Sequence, residues 1–127
     1  MAFQIDWILK NELAVGPAPT TKKHIMMLQA EGINCLLSLC STEEASPPEE
    51  IKNFFRTDRF VLPDHKSGRA PTADEIKIAL DKLINMSKFG SVYVHCFAGI
   101  ERSPLICMAY LIKIHHLTSQ QALDYLM

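Results

Sequence analysis

The chain has 127 residues, 48% of them hydrophobic and 21% charged, with a formal net charge of -1. That length suits one compact domain with a real core, and the charge balance gives no electrostatic case for nucleic acid or an anionic membrane as the main partner. No apolar run reaches spanning length, and Met1-Ala2-Phe3-Gln4 lacks the basic start of a signal peptide. Cys35, Cys40, Cys96 and Cys107 form no C-x-x-C pair, so neither a zinc site nor any other metal or cofactor is expected. With a normal core and no secretory signal, four reduced thiols and a cytoplasmic location are expected rather than two disulfides.

Phe3 to Trp7 alternates at period two and reads as a strand. A second short strand is expected at Leu13 to Val15, closed by Gly16-Pro17. Thr20 or Thr21 can cap a helix running to Glu31 and stopped by Gly32. Ile33 to Leu39 is an apolar run of strand length, expected to be buried on both faces. Ser41 to Pro48 reads as a surface loop. A short helix after Pro47-Pro48 would bring Ile51, Phe54 and Phe55 to one side, and Arg59 to Leu62 reads as another strand. Thr72 and Glu75 have capping-box spacing, opening a helix whose inner face is Ile76, Ala79, Leu80, Leu83 and Ile84. Ser91 to His95 is a strand. Arg102 to about His115 is helical and apolar nearly all round, so that helix is buried. Thr118 and Gln121 repeat the capping-box spacing. The last helix stops at Leu126-Met127 with its apolar face unfinished, which reads as a C-terminally shortened form of a longer chain. Alternating strands and helices predict a single α/β domain over 1–127 with a central, mainly parallel sheet flanked by helices.

The informative stretch is Val92-Tyr93-Val94-His95-Cys96-Phe97-Ala98-Gly99-Ile100-Glu101-Arg102-Ser103-Pro104. It predicts a strand, a short loop and a buried helix. Such a loop aims backbone N–H groups and a positive helix pole at one point, which makes an anion site. Gly99 lets the loop turn back closely, and Arg102 can fork two N–H donors onto phosphate oxygens. Pro104 suits the first helical turn. Cys96 stands at the mouth, where a helix N-terminus and a nearby cation favour the thiolate, lowering a thiol from about 8.5 into a range of roughly 3.5–7.5.

This stretch resembles the H-C-x5-R-S signature of the cysteine-based protein tyrosine phosphatase superfamily, and the chain is most similar to its small dual-specificity phosphatases. The resemblance runs from about Trp7 onward, and is strong from His95 to Pro104. The chain is too short for the large tyrosine-specific domains. The resemblance implies a hydrolase of phosphotyrosine and phosphoserine or phosphothreonine. Cys96 would form a phosphocysteine intermediate, Arg102 would bind phosphate, and Ser103 would hydrogen-bond the thiolate and assist its departure. The backbone of Phe97, Ala98, Gly99, Ile100, Glu101 and Arg102 would cradle the phosphate, with His95 bracing the loop. His95 also fits a satisfied core histidine.

The family takes its general acid from a loop well before the nucleophile. Asp64, in Leu62-Pro63-Asp64-His65-Lys66-Ser67-Gly68-Arg69, stands at that separation, although Asp is also common in turns for local bonding. His65 could be a second acid, could orient Asp64, or could be a plain exposed loop histidine. Some relatives carry a cysteine at the position of Cys40 that pairs reversibly with the nucleophile; the alternative is a small buried hydrophobe. Cys35 and Cys107 read as core. Glu101 adds a carboxylate rather than a cation to the loop. This predicts phosphotyrosine-type monoesters over phosphoinositides, unless Glu101 turns away to pair with Lys66 or Arg69. Competing readings are a catalytically weak phosphoprotein-binding module, a phosphatase of a non-protein monoester, and a sulfur-transfer or arsenate-reducing enzyme with an analogous loop. The expected partner is thus a phosphorylated protein or small phosphomonoester, without nucleic acid or membrane.

Overall fold

The computed structural model describes residues 2–97 and 101–126. Five strands form one sheet in the order β1-β2-β5-β3-β4: β1 Asp6–Leu9, β2 Leu13–Pro17, β3 Cys35–Ser38, β4 Arg56–Arg59 and β5 Val92–Cys96. Only β1 runs antiparallel to its neighbour; the other pairings are parallel. The helices are α1 Lys22–Ala30, α2 Ile51–Phe54, α3 Ala73–Ser87, α4 Arg102–His115 and α5 Ser119–Leu126. This is the expected α/β architecture with a phosphate-loop sequence between a strand and a helix, but α4 is buried only along one side of its first ten residues and residues 112–115 are exposed, which corrects the expectation of a helix buried all round.

Side-chain alternation along the central strands divides the core into two layers. Val92, Val94 and Cys96 of β5 join Leu37 and Leu39 against Leu83 of α3 and Ile106 of α4. Tyr93 turns the other way and packs with Leu36, Ile25 and Leu28 of α1, and Ile51. Both faces of β3 and β5 are therefore covered, which is why Cys35 to Cys40 and Ser91 to Cys96 are buried without interruption. Gly16 allows one close approach: a Cβ there would collide with the Tyr93 hydroxyl and the Gln4 carbonyl. That hydroxyl donates to the Pro17 carbonyl at 2.6 Å.

The caps formed as their spacing predicts. Thr72 and Glu75 bond reciprocally at the start of α3, Thr118 and Gln121 do so before α5, and Thr21 caps α1. The paired part of the third strand is Cys35–Ser38, shorter than the expected Ile33 to Leu39, and three further expectations are corrected. The alternation of Phe3, Ile5 and Trp7 does mark one packed face, but the paired strand is Asp6–Leu9, set by its register with Leu13–Val15. The fourth strand is Arg56–Arg59 rather than Arg59 to Leu62. An edge strand tolerates charge, while Phe60 and Leu62 continue past it and hydrogen-bond to Ser38 and Leu39. In α2, Ile51 and the following Phe55 are buried, but Phe54 is exposed; successive helical residues cannot share one face.

Candidate functional site

In open α/β sheets, ligands bind at the carboxyl ends of strands where successive connections leave on opposite faces. Here β2 leads into α1 on one face, and β5 leads into α4 on the other. Pro17, the last residue of β2, pairs with Cys96, the last of β5. A cleft of about 810 Å³ opens there, lined among others by Cys96, Phe97, Arg102, Asp64, Glu101 and Glu44. The sequence candidates Cys96, Arg102 and Asp64 therefore share one cavity although they come from three segments. The expected phosphate-cradling residues Ala98, Gly99 and Ile100 lie outside the described residues, so the cradle is described only at Phe97, Glu101 and Arg102.

Arg102 begins α4 and is 4% exposed. Its Nη1 donates to the carbonyls of Leu39 at 3.3 Å and Leu62 at 3.1 Å, and to Glu44 Oε2 at 3.2 Å. Nη2 donates to Glu44 Oε1 at 2.7 Å. These bonds occupy one edge of the guanidinium. Nε is buried and has no hydrogen-bond partner among the described residues. A guanidinium carries five N–H donors, so the Nε–Nη2 edge retains the parallel donor pair that matches two oxygens of a phosphate. Burial works against the charge on Arg102, but its bonds and attraction to Glu44 outweigh that and raise its pKa. The same hydrogen bond pulls Glu44 down to about 2, so the pair stays ionised at any ordinary pH.

Glu44 was not among the sequence candidates, because Ser41 to Pro48 reads as surface loop. The signal that could have found it is the spacing Ser41-x-x-Glu44. Ser41 N–H donates to Glu44 Oε2 at 2.9 Å, and Glu44 N–H donates to Ser41 Oγ at 3.2 Å. This reciprocal bonding has the pattern of a capping box and delivers the carboxylate to Arg102.

Asp64 caps a short 3₁₀ turn, His65–Ser67. Its Oδ1 accepts the Lys66 N–H at 2.9 Å, while Ser67 Oγ donates to the Asp64 carbonyl at 2.7 Å. The local bonding common for Asp in turns is thus present, and it fixes the carboxyl on the cleft wall with its other oxygen outside these bonds. His65 is exposed, and its Nδ1 lies 2.9 Å from Glu101 Oε2. Glu101 therefore pairs with His65 rather than with Lys66 or Arg69, which corrects the alternative drawn from sequence; Arg69 is held by Glu75.

Behind the nucleophile position, His95 is buried and its Nε2 lies 2.6 Å from Ser38 Oγ. Burial, reinforced by nearby Arg59, pushes its pKa down to about 3, and its Nδ1 has no hydrogen-bond partner among the described residues. The ring is neutral, a brace rather than a cation. Ser103 is fully buried, and its Oγ has no hydrogen-bond partner among the described residues. A buried orphan polar atom costs about 1–3 kcal/mol, so Arg102 Nε, on a residue that lines the cleft, is placed to meet a ligand there. All four cysteines are buried, and no disulfide joins them among the described residues. Cys40 stands close enough to Cys96 and Arg102 to feel both charges, although burial is the main influence and raises its pKa.

The His95 environment has a consequence for stability. An unfolded histidine titrates near its ordinary 6.5, and the folded one near 3. Between those values the unfolded chain binds one more proton, so stability is complete above about pH 6.5 and falls as pH drops. The slope is about 1.4 kcal/mol per pH unit. Denaturant unfolding from pH 7 to pH 4 should show this slope, flattened by that amount in His95→Asn. Parallel slopes in the two proteins would assign the acid sensitivity to other groups.

Residues 15–127 match the family model "Dual specificity phosphatase, catalytic domain". The chain is 34% identical over 104 residues to dual specificity protein phosphatase 14 of Mus musculus, a match covering 78% of this chain and 48% of that protein. Among solved structures it is similar to PTPMT1 in complex with PI(5)P, with a TM-score of 0.77 and 20% identity, covering 96% of this chain and 80% of the other. It is also similar to the human tyrosine phosphatase-like serine/threonine/tyrosine-interacting protein, with a TM-score of 0.76 and 22% identity over 95% and 80% of the two chains. The chain belongs to the dual-specificity phosphatase catalytic-domain family, and it spans about half the length of the mouse relative.

Proposed function

We propose that the chain is a cysteine-dependent phosphomonoester hydrolase, a dual-specificity protein phosphatase working through a phosphocysteine intermediate. The observation that carries this reading is the Arg102 guanidinium, fixed along one edge by Glu44 and two backbone carbonyls with its Nε unpaired among the described residues, in the same cleft as Cys96 and Asp64. The Cys96 thiolate attacks phosphorus while Arg102 and the loop N–H groups hold the oxygens of the transition state. Asp64 protonates the departing alcohol. Ser103 then stabilises the thiolate as water displaces it from phosphorus. Turnover of an aryl phosphate in the presence of a chelator tests the reading; no turnover, or turnover restored only by a divalent ion, would overturn it. Comparing kcat/KM for phosphotyrosine and phosphoinositide substrates tests the preference for phosphotyrosine-type monoesters, which the Glu101 carboxylate supports because it lines the cleft while paired with His65. A cytoplasmic location fits four cysteines that form no disulfide among the described residues.

In this scheme Glu44 is a positioning residue that acts through Arg102. Its replacement by Gln keeps the shape and loses the charge-assisted fork. A misplacement of about 1 Å can cost 10²-fold, so Glu44→Gln should lower kcat by about 10–10²-fold with a smaller change in KM. Glu44→Asp should recover part of the loss. Equal kcat in all three proteins would remove Glu44 from the mechanism.

Cys40 supports a redox role. Peroxide converts the Cys96 thiolate to a sulfenic acid; the Cys40 sulfur then attacks it, forming the disulfide and releasing water. Mild peroxide should yield a Cys40–Cys96 disulfide by mass spectrometry, with activity restored by a thiol. Cys96 joined to Cys35 or Cys107, or to neither, would reject this.

A further inference from the structure

Phe97 follows the nucleophile directly, and the residue is 50% exposed. It lines the main cleft on one side and a second depression, of about 130 Å³, on the other. The second depression is walled by Phe3, Pro17, Ala18, Ala45 and His24. Its position is fixed by the sheet. Pro17 lies opposite Cys96 in the parallel ladder, one strand spacing of about 4.8 Å away. The Ala18 N–H donates to the Phe97 carbonyl at 3.2 Å.

The chemistry of this depression differs from that of the cleft. No Asp, Glu, Lys or Arg lines it. Its one titratable ring, His24, stacks on Phe3 with centroids 4.0 Å apart, and its Nδ1 accepts the Thr20 N–H at 3.0 Å. Partial burial, with Lys23 nearby, holds His24 below its ordinary pKa, so the ring is neutral at neutral pH. A site that is uncharged and apolar, continuous with the reaction cleft through a shared aromatic wall, suits an apolar group attached to the substrate. An apolar cavity of about 150 Å³ accepts one benzene ring, so this slightly smaller one has room for a single aliphatic side chain.

We propose that this depression is a specificity subsite for a leucine or methionine side chain lying one or two residues from the phosphotyrosine of a peptide substrate. An extended peptide advances about 3.3 Å per residue, so with the phosphate at Cys96 a near neighbour crosses Phe97 and enters the subsite. The assignment rests on the phosphatase reading above and adds the sequence context that the site selects.

The test measures kcat/KM for phosphotyrosine peptides carrying Leu or Asp at each position within two residues of the phosphotyrosine, alongside an aryl phosphate with no peptide. Wild-type protein should favour Leu over Asp by about tenfold or more at one of these positions. Ala45→Phe and Thr20→Phe, which fill the depression from its rim, should abolish that preference and leave aryl phosphate turnover within twofold of wild type. Turnover of aryl phosphate without any preference for Leu, or a preference that survives both filled variants, overturns the subsite alone. Absence of aryl phosphate turnover in wild-type protein overturns the phosphatase reading beneath it.

Discussion

Cys96→Ser should lower kcat for an aryl phosphate by about 10⁴-fold or more, the scale on which removal of an enzyme nucleophile acts. The substitution exchanges one small atom at a site that is 2% exposed, so shape and packing barely change. The chemistry does change. Sulfur can be held as a thiolate beside a cation and a helix N-terminus, whereas a serine hydroxyl needs an adjacent base to become a nucleophile. The nearest histidine in sequence cannot supply that base, because the buried His95 Nε2 is engaged with Ser38. Arg102 and its Glu44 partner are untouched, so the variant should still bind inorganic phosphate and melt near the wild-type temperature. Turnover close to wild type would end the case for a phosphocysteine intermediate.

Asp64→Asn should lower kcat by about 10²–10⁴-fold, the usual worth of a general acid. Asparagine preserves the acceptor that caps the 65–67 turn, since its side-chain carbonyl can take over the Lys66 N–H bond of 2.9 Å. The wall of the cleft should therefore keep its shape and lose only its transferable proton. This gives the prediction a diagnostic form. A leaving group that departs readily as an anion needs no proton, so the loss should shrink as the alcohol becomes more acidic. A uniform loss across a series of aryl phosphates would show that Asp64 shapes the cleft without donating a proton.

The chemistry-bearing loop was legible in the sequence because its parts are contiguous: His95, Cys96, Arg102 and Ser103 sit within one strand-loop-helix unit whose local geometry follows from the chain itself. Asp64 could be reached through position and turn chemistry. Glu44 could not be reached in the same way, since its role depends on a loop folding over a helix that begins far along the chain. The charged strand Arg56–Arg59 was missed for a related reason. Hydropathy finds strands that are buried on a face, whereas β4 is held at the edge by the ladder with β3, so the apolar Phe60 to Leu62 next to it drew the assignment. Phe54 was misplaced by grouping neighbours that a helix separates.

The sheet order has a consequence for how the chain acquires its shape during synthesis. Of the four strand pairings, β1 with β2 and β3 with β4 can form from the first 59 residues, but β2 and β3 never touch each other; β5, at Val92–Cys96, stands between them. Until that strand is made, nothing joins the β1–β2 pair to the β3–β4 pair, and an unpaired strand edge is the kind of surface that invites association with other chains. Joining the two halves requires long-range pairing, which forms more slowly than local contacts. The strand that closes the sheet is also the one that ends in Cys96, so no partly folded chain presents the nucleophile in its loop, and reactive thiol chemistry arrives only with the finished sheet.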